Sequence, residues 1–226
     1  MENISLSKLN FEECARYLGY KGNAVDNNVL SIMKRCEEEI ISLAMPRFVY
    51  KRFPIFPCKK GIEVVGTSIL LTGNSIALHL KDCKEVILLG ATLSGEMDKC
   101  IRLAEINDMA YALVLDAMCA VAIEQVLDKI EELFHQKLPQ KYLTYRYGIG
   151  YGDLPISLEP EFLAVLNAEK TIGLCSNESY TLSPRKSVVC IVGISDTEII
   201  NRKRSCSVCN MSSRCEFRKR GERCGY

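Results

Sequence analysis

Apolar residues fall at threes and fours between positions 26 and 44 (Val29, Ile32, Met33, Cys36, Ile40, Leu43), the spacing of one helix face, with Asp26 as N-cap and Pro46 closing the element. A shorter helix precedes it over residues 11–20. Residues 51–57 read KRFPIFP, and because a residue before proline is pushed out of the helical region, this stretch is expected to be an extended link to the main body. Val64, Val65, Ile69, Leu70 and Leu71 favour strands over 62–71, ahead of a Thr72-Gly73-Asn74 turn. Ser75 can cap a short helix over 76–82, and 85–89 reads as a buried strand. Two helices follow, over 92–107 and 108–136. The second has a wide apolar face that includes Met109, Leu113, Ala117, Val121, Leu127, Ile130 and Phe134. Beyond Pro139 the pattern turns to strands at 142–147, 171–174 and 187–194, with a glycine-rich bend and a short helix near 161–167 between them.

Helical and strand blocks mix without regular strand–helix–strand alternation. This predicts the α+β class: a twisted, mainly antiparallel sheet with flanking helices, a helical N-terminal segment and a metal-stapled C-terminal tail. Three regions are expected: a helical segment over 1–50, the main body over 51–200 and a tail over 201–226. The 226 residues carry a net charge of +1, and that balance hides an asymmetry. Residues 201–226 hold eight Lys/Arg against two Glu, which leaves 29 − 8 = 21 basic against 28 − 2 = 26 acidic residues in the rest. No run of eighteen apolar residues occurs, so a membrane-spanning chain is not expected. The N-terminus lacks the basic start and apolar run of an export signal, and a cytoplasmic location is expected. Of twelve cysteines, Cys14, Cys36, Cys58, Cys83, Cys100, Cys119, Cys175 and Cys190 are scattered through apolar segments and are expected to pack as small hydrophobes.

The densest chemistry lies in Arg146-Tyr147-Gly148-Ile149-Gly150-Tyr151-Gly152-Asp153. Glycines let backbone approach a ligand, arginine can hold a carboxylate with two parallel hydrogen bonds, and tyrosine offers a flat face with a polar end. Together they suit an amino-acid carboxylate beside an adenine. The same residues would also make a tight turn between strands with a solvated arginine.

Downstream stand Glu169-Lys170-Thr171-Ile172-Gly173, then Glu178-Ser179-Tyr180-Thr181-Leu182-Ser183-Pro184, then Ser187-Val188. With the arginine–glycine segment these resemble, in order and over about fifty residues, the activation domain of vitamin B12-dependent methionine synthase. The resemblance implies binding of S-adenosylmethionine, with Arg146 on the methionine carboxylate and Gly148, Gly150 and Tyr151 shaping the turn. It implies further ligand-side roles for Glu178 and for Glu124 on the long helix. It also implies the activity: a cobalamin oxidised to Co(II) regains its methyl group from S-adenosylmethionine while an external flavodoxin-like or ferredoxin donor supplies one electron. Positioning carries most of that catalysis, because the sulfonium is already an activated leaving group.

The chain departs from the family after Ser-Val. Val189-Cys190-Ile191-Val192-Gly193-Ile194 replaces a run with aromatic residues, and Ile199-Ile200 stand where the family has paired tyrosines, so the adenine side is left unassigned. The chain also lacks the Asp-x-His-x-x-Gly loop that ligates cobalt; its two histidines, His79 and His135, read as core or surface residues. The cobalamin is therefore expected on a partner, a methionine synthase or related corrinoid protein.

Cys206, Cys209, Cys215 and Cys224 form a C-x2-C-x5-C-x8-C set in the basic tail, the right number of thiolates for zinc or an iron–sulfur cluster. An iron–sulfur cluster is favoured because the partner must receive an electron. The expectation is thus a reactivation protein that remethylates a partner's cobalamin. Two rivals are a non-catalytic S-adenosylmethionine sensor and a nucleic-acid-binding protein organised by the cysteine tail, the latter disfavoured by the acidic body.

Overall fold

The computed structural model describes residues 4–20, 24–199, 213–219 and 221. Two helices open the chain, α1 (Phe11–Tyr17) and α2 (Asn27–Leu43). The Asn10 side chain accepts the Glu13 N–H and the Asp26 side chain accepts the Asn28 N–H, so both helices start on side-chain caps. Strands β1 (Arg47–Cys58), β2 (Gly61–Val64) and β3 (Leu70–Leu71) lead to a short helix α3 (Asn74–His79), then β4 (Glu85–Thr92). Helices α4 (Gly95–Asn107) and α5 (Met109–Lys137) follow, joined by Asp108, whose side chain accepts the Tyr111 N–H. The last part comprises β5 (Tyr142–Leu143), β6 (Tyr147–Gly148), α6 (Glu159–Leu166), α7 (Ala168–Ile172), β7 (Cys175–Ser176), β8 (Leu182–Ser183) and β9 (Ser187–Ser195).

One antiparallel sheet runs β3-β2-β1-β4-β9-β5, with β6 also paired to β9. The molecule is α+β, as the block order predicts. In β4, Ile87, Leu89 and Ala91 face one core while Val86 and Leu88 face a second; in β9 the same alternation puts Cys190, Val192 and Ile194 on the first side and Val189 and Ile191 on the other. Both faces of the sheet are covered, which is why these strands read as unbroken apolar runs. The first core receives α1, α2, α4 and α5; the second receives α3, α6 and α7. Helix α5 is long and apolar enough to cross a bilayer by composition, but twelve of its residues, from Ala112 to Phe134, are buried in the first core, and that accounts for its apolarity.

Two local expectations are corrected. Residues 51–57 are not a link but part of β1, inside the sheet. The prolines are tolerated because β1 pairs β4 over 47–54 and β2 over 55–58, so each half has one open edge where a missing N–H costs no ladder bond. Residues 171–174 are not a strand: α7 runs to Ile172, bracketed by left-handed Asn167 and Gly173, and buries Ala168 and Ile172 one turn apart. The β-branched Thr171-Ile172 pair suggested a strand, and burial of the i, i+4 face overrode it.

Where β4, β9 and β5 end, Asp196 bonds Lys141 and also Lys84, at 2.7 Å for the latter. Hydrogen bonding to Lys141 and then to Lys84 holds its carboxyl down to about 2. A carboxyl depressed in the folded state stabilises above its ordinary pKa and loses that contribution as pH falls through the folded value, so this corner loosens between about pH 4 and pH 2. Protection factors of the Lys84 and Thr144 amides, which bond Ile194 and Gly193, should fall over that window. Asp196→Asn should flatten the pH dependence, and an identical profile in that variant would remove the assignment.

Candidate functional site

Arg146 enters β6 on the side of the sheet that faces α5. There its guanidinium meets three carboxylates of that helix: Nη2 lies 2.9 Å from Glu124 and 2.7 Å from Asp128, and Nη1 lies 3.1 Å from Glu131. Spacing of four and then three residues puts the three acids on one helix face. The arginine is 8% exposed, whereas the carboxylate side chains keep 39%, 41% and 26% of their surface. Solvent therefore reaches the acids and not the cation. Burial pulls the guanidinium pKa down, but the charges of Glu131, Glu124 and Asp128 outweigh it, and Arg146 is held more firmly protonated than usual. The guanidinium is thus shared among three carboxylates of one helix face.

The next residues turn sharply away. Tyr147 pairs Ile191 and points into the second core, beside His79 and Tyr145. Gly148 pairs Cys190, and a Cβ on it would stand 3.1 Å from the Tyr151 ring. Gly150 has φ of +81°, and a Cβ there would lie 2.7 Å from Ile156. Both glycines thus have a packing reason: they let Tyr151 fold back over the end of β6 while the residue stays 71% exposed. The Tyr147 hydroxyl donates to the Tyr151 carbonyl at 3.1 Å and pins the turn from below. Asp153 accepts the Asn74 and Ser75 N–H groups at 2.6 and 2.9 Å, capping α3. Ser75, expected to cap that helix itself, lies inside its first turn because a carboxylate seventy-eight residues away takes the capping position.

The structure brings Arg146 and Glu124 into direct contact and sets Gly148, Gly150 and Tyr151 in one adjoining turn. Glu178 lies elsewhere, exposed at the tip of the β7–β8 hairpin, where the Asn177 side chain accepts the N–H groups of Ser179 and Thr181. Asp128 and Glu131 were not singled out in the sequence. Their signal was available, as acids four and seven residues after Glu124 on the flank of an apolar helix. His79 is a core residue and His135 is exposed.

The eight scattered cysteines are free thiols, with Cys14, Cys36, Cys119 and Cys190 buried. Burial pushes the Cys14 and Cys36 thiols up to about 12, which suits packing and not reactivity. Of the tail set, Cys215 is a half-buried free thiol, while Cys206, Cys209 and Cys224 lie outside the described residues. Among the described residues no three His, Cys, Asp or Glu side chains are arranged to hold a metal ion.

No protein-family model and no curated protein matches the chain. Among solved structures it is similar to a crystal structure of the MetH reactivation domain bound to AdoHcy. The TM-score is 0.68 at 12% sequence identity, over 95% of this chain and 82% of that one. The chain has the fold of that domain.

Proposed function

We propose that this protein binds S-adenosylmethionine between the β6 turn and α5, and uses it to remethylate the cobalamin of a separate methionine synthase or related corrinoid methyltransferase. The observation that carries the reading is the buried guanidinium of Arg146 set in an acidic helix face beside the exposed Tyr151 turn. It is supported by a fold shared with a domain crystallised with AdoHcy.

The ligand's amino-acid end carries one carboxylate and one ammonium, and its sulfonium carries a further positive charge. The ligand carboxylate would replace one of the helix acids on the fork of Arg146, and the negative charge of the acid so released would face the ligand's two cationic groups. Tyr151 offers a flat, exposed ring for the nucleoside side. Glu178 on its hairpin would approach from the rim. These residues bind and orient. The reaction itself takes one electron from an external flavodoxin-like or ferredoxin donor and the methyl group of the sulfonium, and leaves a methylated cobalamin and S-adenosylhomocysteine. In this reading residues 51–200 hold the ligand, residues 1–50 pack upon them, and 201–226 form a separate tail whose Cys206, Cys209, Cys215 and Cys224 take zinc or an iron–sulfur cluster.

Titration calorimetry should show one S-adenosylmethionine and one S-adenosylhomocysteine site per chain. With a cob(II)alamin-bearing methionine synthase and a low-potential reductant, methylcobalamin and S-adenosylhomocysteine should appear in equal amounts. Binding without transfer would reduce the protein to a sensor, and absence of binding would end the proposal.

A further inference from the structure

The corner where α4 gives way to α5 carries four large aliphatic side chains that the fold leaves in solvent: Leu103, Ile106, Met109 and Leu113 are 63%, 81%, 67% and 64% exposed. Helix α4 buries Ile101 and Ala104 in the first core, and α5 buries Leu115 and Met118 there. Leu103 and Ile106, three residues apart, point away from the buried side of α4, and Met109 and Leu113, four apart, point away from that of α5. Ile106 and Met109 are separated by no more than about 11 Å of chain, so the two pairs form one patch around the exposed Asp108.

At about 30 Å² for each side-chain heavy atom, the four side chains present on the order of 350 Å² of apolar surface. That lies within the about 300–600 Å² of the largest patch on a typical monomer, a patch that often has a function. Two such ridges facing each other would remove about 700 Å² of apolar surface and, with a polar rim from Arg102, Glu105 and Asp108, reach the about 1,000 Å² that a specific interface needs. A partner without an apolar ridge of its own would bury half the apolar area. The exposed acids Glu105 and Asp108 at the corner make an anionic lipid surface a poor match.

We propose that the α4–α5 corner is a two-fold docking surface for a second copy of this chain. With α4 antiparallel to its copy, Leu103 of each meets Ile106 of the other, and Arg102 of each stands toward Asp108 of the other, so charge and apolar ridge are both self-complementary. The candidate ligand site stays outside the contact, because Glu124 lies about 16 Å beyond Leu113 along α5.

Sedimentation velocity of the full chain between about 1 and 200 µM should show the 25.4 kDa species giving way to one of twice that mass, half-converted at a concentration on the order of tens of micromolar, as suits an interface at the small end of the specific range. Ile106→Glu, at a position open to solvent, should melt within about 2 °C of the parent and stay monomeric throughout. Arg102→Glu should raise the dissociation constant about tenfold, and an unchanged constant would overturn the antiparallel pairing. A parent that is still monomeric at about 200 µM would overturn the proposal, as would a dimer that survives Ile106→Glu unaltered, since the copies would then meet elsewhere. A monomeric parent that floats with phosphatidylserine vesicles would assign the patch to lipid and overturn it as well.

Discussion

Replacing Arg146 by alanine is expected to weaken S-adenosylmethionine binding by about ten- to a hundredfold, the loss of a charged hydrogen-bonding partner worth about 1.5–3 kcal/mol. The same change should destabilise the fold. With the guanidinium gone, Glu124, Asp128 and Glu131 face one another on one side of α5 with no compensating charge from β6. Removing one partner of a fully buried ion pair costs about 3–5 kcal/mol, and because solvent reaches these carboxylates the expected figure is lower, about 2–3 kcal/mol. Both effects are separable. Glu131→Gln in the Arg146→Ala background should recover part of the stability, since it removes one of the repelling charges, but should not restore ligand binding. Chemical denaturation of the two single variants and the double variant reads the coupling as a cycle. Strict additivity would show that Glu131 and Arg146 do not interact energetically, and unchanged calorimetric affinity in Arg146→Ala would remove the carboxylate clamp.

The second large effect lies one turn further along the same helix. Phe134 is 1% exposed and meets the Tyr50 ring of β1 edge-on, with centroids 4.9 Å apart. It locks the last turns of α5 onto the sheet. Phe134→Ala should cost about 3–5 kcal/mol, the sum of lost burial and the cavity left behind, whereas Phe134→Leu should cost less than half of that. Urea unfolding at constant m-value is the measurement. Glu131 lies one turn earlier on the helix, so loosening this end should also degrade ligand binding through the displaced acidic face. A stability loss under about 1 kcal/mol would mean that the helix end is held by something other than this ring.

Much of this architecture is legible in the order of residues, and the reason is local. Helices α2 and α5 have long apolar faces at helical spacing, and Asp26 caps α2 from a position visible in the sequence. Strands β4 and β9 are continuous apolar runs between turn residues, long enough to declare a strand buried on both faces. The resemblance singles out Arg146 and, on the long helix, Glu124, and the fold sets the two 2.9 Å apart. Short elements fared differently. Helix α7 carries five residues, too few for its period to outweigh the strand preference of Thr171 and Ile172.

By itself, then, the sequence determined what each long segment prefers to be and which residue types were present to do chemistry, because periodicity, capping and side-chain type are properties of near neighbours. Only the tertiary structure decided which of those residues share a site. It set Asp128 and Glu131 beside Glu124 against one guanidinium, placed Asp153 to cap α3, drew the proline-bearing 51–57 stretch into the sheet, and brought Gln125 to the backbone of residues 8 and 10. Such pairings are chosen where α1 and α5 pack on one face of the sheet and β6 pairs β9 within it, and no window of neighbouring residues contains the distances that packing creates.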